Sequence, residues 1–245
     1  MENYKNILKV KGYCLIPKVL DLSDTAKIKS EINRANNVVT YKDRNGNLRR
    51  IEKLYDKGET LLKLNQKILK ILKDIYHEDF YIFKDKYNAK PANGEGFFAH
   101  YDGIFNWKDK NGNIRNGWYE YSSFFINALI ALDPCDKENG TIELSKIHNL
   151  TFNELLNNTK RNGTPDLLPA VEKKCQFDVI DLDIGDLVLF NNKCPHRSAK
   201  NISFQSRMTL YYTYNISKDG DHYNTYFEDK KTSSNKNSKS LIGQI

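Results

Sequence analysis

From Asp79 to Asn215 the chain is a succession of short runs rich in Tyr, Phe, Ile, Val and Thr, bounded by Asn-Gly and Gly-Asp turns: 79–88, 97–102, 122–132, 140–145, 177–182, 186–191 and 206–215. Branched and aromatic side chains fit a pleated surface, and runs this brief between turns leave no room for the crossover helices of a parallel sheet. Turn-linked strands interrupted by two longer insertions, 104–121 and 146–176, predict a mostly antiparallel two-sheet jelly roll rather than a sandwich of even hairpins. Upstream the periodicity is helical. Ser23 is a candidate N-cap for a helix to about Ala35, and Glu59-Thr60-Leu61-Leu62 opens a second whose Leu62, Leu64, Ile68, Leu69, Leu72 and Ile75 recur at helical spacing. The predicted fold class is therefore mainly β with flanking helices: one domain over 1–229, with a helical buttress at 1–78 and a jelly-roll core at 79–215. The polar stretch KKTSSNKNSKS predicts a disordered tail over 230–245.

Composition narrows the function. At 245 residues the chain is long enough to bury a core without disulfide staples, and its four cysteines form no CxxC pair, which argues against a zinc knuckle or a disulfide framework. No apolar run approaches the ~18–20 residues of a membrane span, and the N-terminus lacks the apolar core of an export signal, so the expected location is cytoplasmic, without a membrane partner. The net charge of +7 is concentrated in residues 1–74. Its lysines are spread around helices rather than interleaved with aromatics on one element, and lysine far outnumbers arginine, so a lysine-rich bias explains the charge better than a nucleic-acid partner. Asp43-Arg44-Asn45-Gly46-Asn47 and Asp109-Lys110-Asn111-Gly112-Asn113 place glycine fourth, where a calcium loop needs it sixth, and read as hairpin turns.

Chemistry enters with Phe97-Phe98-Ala99-His100-Tyr101-Asp102-Gly103. Strand alternation points His100 and Asp102 to one face, and one further imidazole would complete a two-histidine, one-carboxylate facial triad of the kind that holds iron(II) with positions left open. His-x-Asp alone also occurs by chance, so the third ligand decides. His148 reads as a packing or loop-capping residue, His77 ends a helix, and His222 lies in the polar C-terminal region. His196 is better placed, because the strand Leu187-Val188-Leu189-Phe190 delivers Asn191-Asn192-Lys193-Cys194-Pro195-His196-Arg197-Ser198 at its end. Arg207 opens the next strand. Alone it reads as a surface ion pair, although a planar guanidinium can also hold a carboxylate through two parallel bonds.

In these residues the chain resembles the phytanoyl-CoA dioxygenase-like family of iron(II)/2-oxoglutarate oxygenases, over roughly residues 80–215. The resemblance rests on Phe83-Lys84-Asp85-Lys86-Tyr87-Asn88 before a glycine loop, His100-x-Asp102, Asp136-Lys137-Glu138-Asn139-Gly140-Thr141, Gly185-Asp186, His196-x-Ser198 and Arg207. It implies a double-stranded β-helix with His100, Asp102 and His196 on Fe(II), 2-oxoglutarate and O2 as cosubstrates, and Arg207 on the distal carboxylate of 2-oxoglutarate, to which Ser198 would add a hydroxyl donor. It also favours hydroxylation over halogenation, because related halogenases replace the carboxylate at the position of Asp102 with a small residue; desaturation and oxidative cleavage stay open as alternatives.

Around this set the reading is more open. Asn127 is polar in an apolar strand and needs partners, either the cosubstrate or backbone. If Arg207 points inward then Thr209, Tyr211 and Thr213 do too, so Tyr211 is either cavity wall or ordinary core. Lys86, Asn88 and Trp118 are further candidates for the pocket. Lys84, Lys86 and Lys90, taken to lie near its mouth, point to a small polar or anionic metabolite as substrate. A jelly-roll binding module with a vestigial site, and a cupin-like metalloenzyme that needs no 2-oxoglutarate, are the alternatives; Arg207 speaks against both.

Overall fold

The computed structural model describes residues 2–233. In chain order its elements are α1 (Glu2–Val10), β1 (Tyr13–Ile16), α2 (Leu22–Arg34), β2 (Val39–Lys42), β3 (Leu48–Glu52), α3 (Glu59–Tyr76), β4 (Phe80–Lys90), β5 (Phe97–His100), β6 (Trp107–Lys108), β7 (Ile114–Arg115), β8 (Phe125–Ala131), β9 (Ile142–Ser145), α4 (Phe152–Asn157), α5 (Pro169–Glu172), β10 (Phe177–Val179), β11 (Leu187–Asn191), β12 (His196–Ser198), β13 (Arg207–Ile216) and α6 (Tyr223–Thr232). A seven-stranded sheet, ordered β1-β11-β8-β13-β4-β3-β2, faces a four-stranded sheet, β10-β9-β12-β5. Every pairing is antiparallel. This is the predicted jelly roll.

Alternation decides what each face of the large sheet meets. Ile126, Ala128 and Ile130 of β8, Leu187 and Leu189 of β11, and Leu210, Tyr212 and Tyr214 of β13 face outward into one core with Leu61, Leu64, Ile68, Leu72 and Ile75 of α3. Burying each such Leu or Ile contributes roughly 1.5–3 kcal/mol, which fixes the register of every strand that carries one. The opposite positions of β4 and β13 turn inward and are largely polar. Among the described residues no helix is long and apolar enough to cross a membrane.

Several expectations need correction. The first 78 residues are not only a helical buttress: β1 pairs with β11, and the β2–β3 hairpin pairs with β4, so three of the seven strands come from them. Tyr13-Cys14-Leu15-Ile16 is too short for its period to be read, and the hairpin strands carry charge on both faces. The N-cap of α2 is Asp21, whose carboxylate accepts from the Asp24 N–H at 2.7 Å, rather than Ser23. Leu62 lies outside the buried stripe of α3, at 41% exposure, and Leu61 takes its place. The N-terminus of α3 has no side-chain cap of its own; Glu31 of α2 accepts from the N–H groups of Thr60 and Leu61, both at 2.9 Å. Of the expected disordered tail, Lys230–Thr232 belong instead to α6, and 234–245 lies outside the described residues. Both Asp-x-Asn-Gly-Asn segments are hairpin turns, each closed by its aspartate, which accepts from two backbone N–H groups.

One buried carboxylate ties this frame together. Asp85, wholly enclosed on the outward face of β4, accepts from the N–H groups of Lys53, Leu54 and Tyr55 and from the Tyr223 hydroxyl. It thereby anchors the β3–α3 connection and the start of α6 to the strand that carries the inward lysines. Replacing Asp85 by Ala leaves those donors buried and unpaired, and stability measured by urea unfolding is expected to fall by about 3 kcal/mol or more. A loss within experimental scatter would show that the carboxylate is dispensable.

Candidate active site

The two strands that carry the histidines are neighbours. β5 and β12 pair antiparallel with His196 directly opposite His100, which brings the imidazole centroids to 4.1 Å. Asp102 follows two residues past the end of β5. Its backbone is held in both directions by Asn192: the Asp102 N–H donates to the Asn192 carbonyl, and the Asn192 amide donates to the Asp102 carbonyl, each at 3.1 Å. One ligating atom from each of His100, Asp102 and His196 lies within 4.8 Å of the others, and no other such cluster of His, Cys, Asp and Glu occurs among the described residues.

The donor atoms are prepared for a cation. Nδ1 of His100 donates to the Phe98 carbonyl at 2.7 Å and Nδ1 of His196 to the Cys194 carbonyl at 3.0 Å. A carbonyl only accepts, so each Nδ1 carries the proton and each Nε2 is left with a free lone pair. Burial pushes both imidazoles toward the neutral form, His196 to about 3. Burial alone would raise Asp102, but His196, Lys86, His100 and Lys84 around it outweigh burial and hold the carboxyl well below the usual carboxylate range. Nε2 of His196 and Oδ2 of Asp102 stand 3.6 Å apart, two electron-pair donors facing each other. A cation between them turns that repulsion into attraction, and a nitrogen–nitrogen–oxygen set with open positions fits iron(II).

Asn127 does not line the cavity. Its amide donates to Oδ2 of Asp102 at 3.0 Å and its carbonyl accepts from Thr213 at 2.7 Å, so it stands behind the carboxylate and orients it.

In front of the triad lies a cavity of about 450 Å³. β4 and β13 form one wall, where Lys84, Lys86, Asn88 and Lys90 stand opposite Thr213, Tyr211, Thr209 and Arg207. Arg207 is 5% exposed. It donates to Thr209 at 3.2 Å and to the Gly140 carbonyl at 2.6 Å, while its Nε has no partner among the described residues. Lys90 lies beside it, donating to Gly140 O and Ser198 Oγ, both at 2.9 Å, and to Ala199 O. Because Ser198 accepts from Lys90, its own O–H is free to donate. A buried guanidinium with an orphaned edge, the Lys90 amine beside it and a free hydroxyl at one point fit a carboxylate, whose charge would hold Lys90 protonated.

The other candidates are also placed. Lys86, Asn88, Trp118 and Tyr211 all line the cavity. Lys84, Lys86 and Lys90 are not at its mouth: they project inside it, with Lys84 8% and Lys90 3% exposed. His148 packs away from the triad, sharing a hydrogen bond with Tyr101, and His77 caps α3 in the left-handed conformation. Two residues of the site were not singled out by sequence: Arg50 and Asn192 reach it through tertiary packing that no local pattern announces.

A double-stranded β-helix with a two-histidine, one-carboxylate cluster between its sheets is the architecture of a jelly-roll non-haem metal site. The chain belongs to the phytanoyl-CoA dioxygenase (PhyH) family, whose model matches residues 8–209. Among curated relatives it is similar to the 2-aminoethylphosphonate dioxygenase of an uncultured bacterium, HF130_AEPn_1, at 27% identity over 72% of this chain and 62% of the relative. It is also similar to the methylphosphonate hydroxylase of Gimesia maris, at 29% identity over 62% of this chain. The chain thus spans 62% and 52% of the lengths of these two relatives. Its fold matches the epimerase SnoN, solved with Fe3+, alpha ketoglutarate and nogalamycin RO, with a TM-score of 0.67 at 16% identity over 87% of this chain and 82% of that one. EctD from S. alaskensis, solved with 2-oxoglutarate and 5-hydroxyectoine, matches with a TM-score of 0.68 at 15% identity over 89% and 77%.

The buried lysines make stability depend on pH. Burial depresses Lys86 to about 7 and Lys90 to about 6, against an ordinary 10.5. Such a group binds fewer protons folded than unfolded, so its cost to the fold is fully present below the depressed value and is relieved as pH rises toward 10.5. The thermal midpoint of the ligand-free protein is therefore expected to rise between about pH 7 and 9, and Lys86→Met and Lys90→Met should each flatten that slope. A midpoint that falls over this range in the wild type would contradict the assignment.

Proposed function

We propose that the protein is an iron(II)- and 2-oxoglutarate-dependent dioxygenase that hydroxylates a small anionic metabolite. The observation that carries this reading is the pairing of the His100–Asp102–His196 cluster with a separate buried carboxylate site at Arg207 and Lys90, both opening on one cavity. A binding module has no need of the first, and a metalloenzyme that dispenses with 2-oxoglutarate has no need of the second. Membership of the family and relatives named for oxidising phosphonates support the same class of chemistry.

Iron(II) bound here, with 2-oxoglutarate and O2, supplies an oxidative decarboxylation that yields succinate and carbon dioxide and transfers oxygen to a substrate C–H bond. The chain's own residues do the rest. His100 and His196 present Nε2 because backbone carbonyls hold Nδ1, and Asn127 fixes which oxygen of Asp102 faces the metal. Arg207 and Ser198 take the distal carboxylate of 2-oxoglutarate, and Lys90 holds the Ser198 hydroxyl in the orientation that donates to it. Retention of Asp102 supports hydroxylation over halogenation, since its carboxylate fills the position a halide would take.

Replacing His100, Asp102 or His196 by Ala is expected to remove iron after anaerobic reconstitution and to abolish succinate formation from 2-oxoglutarate. Asn127→Ala, which keeps all three ligands, should weaken iron binding by roughly 10- to 100-fold. Arg207→Ala should leave iron bound while raising the 2-oxoglutarate concentration required by roughly 30- to 1,000-fold, the loss of a buried charged contact. Wild-type iron content in all three ligand variants, or an unchanged 2-oxoglutarate requirement in Arg207→Ala, would overturn the respective assignment.

A further inference from the structure

β4 carries a second group of cations that the carboxylate site does not use. Inward positions along the strand are Lys84, Lys86, Asn88 and Lys90. Lys84 and Lys90 are six residues apart, a backbone span of about 20 Å, so a molecule the size of 2-oxoglutarate seated at Arg207 does not reach Lys84. Among the described residues the ammonium groups of Lys84 and Lys86 make no hydrogen bond and no salt bridge. Their near neighbours are aromatic: Lys84 Nζ lies 4.8 Å from the Trp118 ring and 5.5 Å from the Tyr226 ring, and Lys86 Nζ lies 4.5 Å from the Tyr211 ring. Ring faces compensate a buried ammonium only in part.

The neighbouring carboxylates are already engaged. Glu52 pairs with Arg50 at 3.6 Å and Lys230 at 2.5 Å, and Asp229 accepts from the Tyr121 hydroxyl at 2.7 Å. Of the carboxylates that act on these two lysines, Asp102 is the one a metal dication would neutralise. Once a metal is bound, Lys84 and Lys86 face the cavity with only carboxylates already engaged elsewhere near them, and with the Arg50 guanidinium on the same wall, fixed by Asn88 and Glu52.

We infer that this aromatic-walled end of the cavity is a specificity subsite for a compact tetrahedral dianion on a short carbon chain, a phosphonate or phosphate monoester, gripped by Lys84 and Lys86. The inference rests on the dioxygenase reading and assigns the substrate's charged group to residues that the metal and 2-oxoglutarate leave free. The two ammonium groups read the double charge, and Trp118, Tyr211 and Tyr226 limit the size of what lies beside it.

The test is calorimetric titration, under argon, of protein loaded with Fe(II) and 2-oxoglutarate. Methyl phosphate and methylphosphonate are titrated separately, with methyl sulfate as a tetrahedral monoanion of the same shape. Both dianions are expected to bind more tightly than methyl sulfate, and the tighter of the two identifies a phosphate-ester or a phosphonate substrate. Lys84→Met and Lys86→Met keep the length of the side chain and should each weaken dianion binding by roughly 10- to 100-fold while the 2-oxoglutarate titration remains that of the wild type. Methyl sulfate binding as tightly as the dianions, dianion affinity unchanged in both variants, or no dianion binding by loaded wild type would each overturn the subsite. A wild-type protein that loads neither iron nor 2-oxoglutarate would overturn the dioxygenase reading, and the subsite with it. Circular dichroism of the two variants establishes that a lost signal is not lost fold.

Discussion

Cations facing one another across the β4–β13 ladder set the terms for the rest of the molecule. Arg207 stands opposite Lys90, and Lys86 and Lys84 follow on the same inward face, in a cavity where desolvation penalises charge. Such an interior is stable only if the fold holds it open by other means and if anions complete it. The outward face of the same strands does the holding: Leu210, Tyr212 and Tyr214 of β13 and Asp85 of β4 lock into the helical layer and α6. The apolar side fixes register, and register then decides which charges meet.

The triad follows the same logic on the facing sheet. Cross-strand pairing of β5 with β12 puts His100 against His196, and the tautomer of each ring is set by a carbonyl two residues before it in sequence. Asp102 lies beyond the strand end, where the ladder no longer constrains it, and there Asn192 holds its backbone while Asn127 and Thr213 hold its carboxylate. Asn127 and Thr213 belong to the large sheet, so the position of the carboxylate links the two sheets. Substitutions at these supporting residues should be felt at the metal rather than in overall packing.

The legibility of the sequence followed its periodicity. Strand alternation from Arg207 correctly turned Tyr211 and Thr213 inward, and the strand ending at Asn191 delivered His196 close to His100, because both inferences need only a two-residue period and a chain direction. The jelly roll came from the pattern of short turn-linked strands, and the fold bears it out; the family resemblance added the clamp role of Arg207. What the sequence hid was tertiary. Asn127 was legible as a buried amide in need of a partner, with cosubstrate and backbone both open, but which partner it takes depends on the packing of one sheet against the other. The β1–β3 strands were invisible because a four-residue apolar run has no readable period and a charged hairpin imitates a loop. Lys84, Lys86 and Lys90 were recognised as a basic group but placed at the mouth, since lysine is usually exposed.

The central claim is that metal and 2-oxoglutarate meet in this cavity, held by distinct sets of residues. The most direct measurement is an anaerobic visible-absorbance titration of the wild-type protein with Fe(II) and then 2-oxoglutarate, following the charge-transfer band that forms when the keto acid chelates iron. The account predicts a saturable band that requires both additions, is absent in His196→Ala, and in Arg207→Ala appears only at much higher 2-oxoglutarate. A wild-type protein that binds iron yet shows no band at any 2-oxoglutarate concentration, or a band indifferent to Arg207, would contradict it.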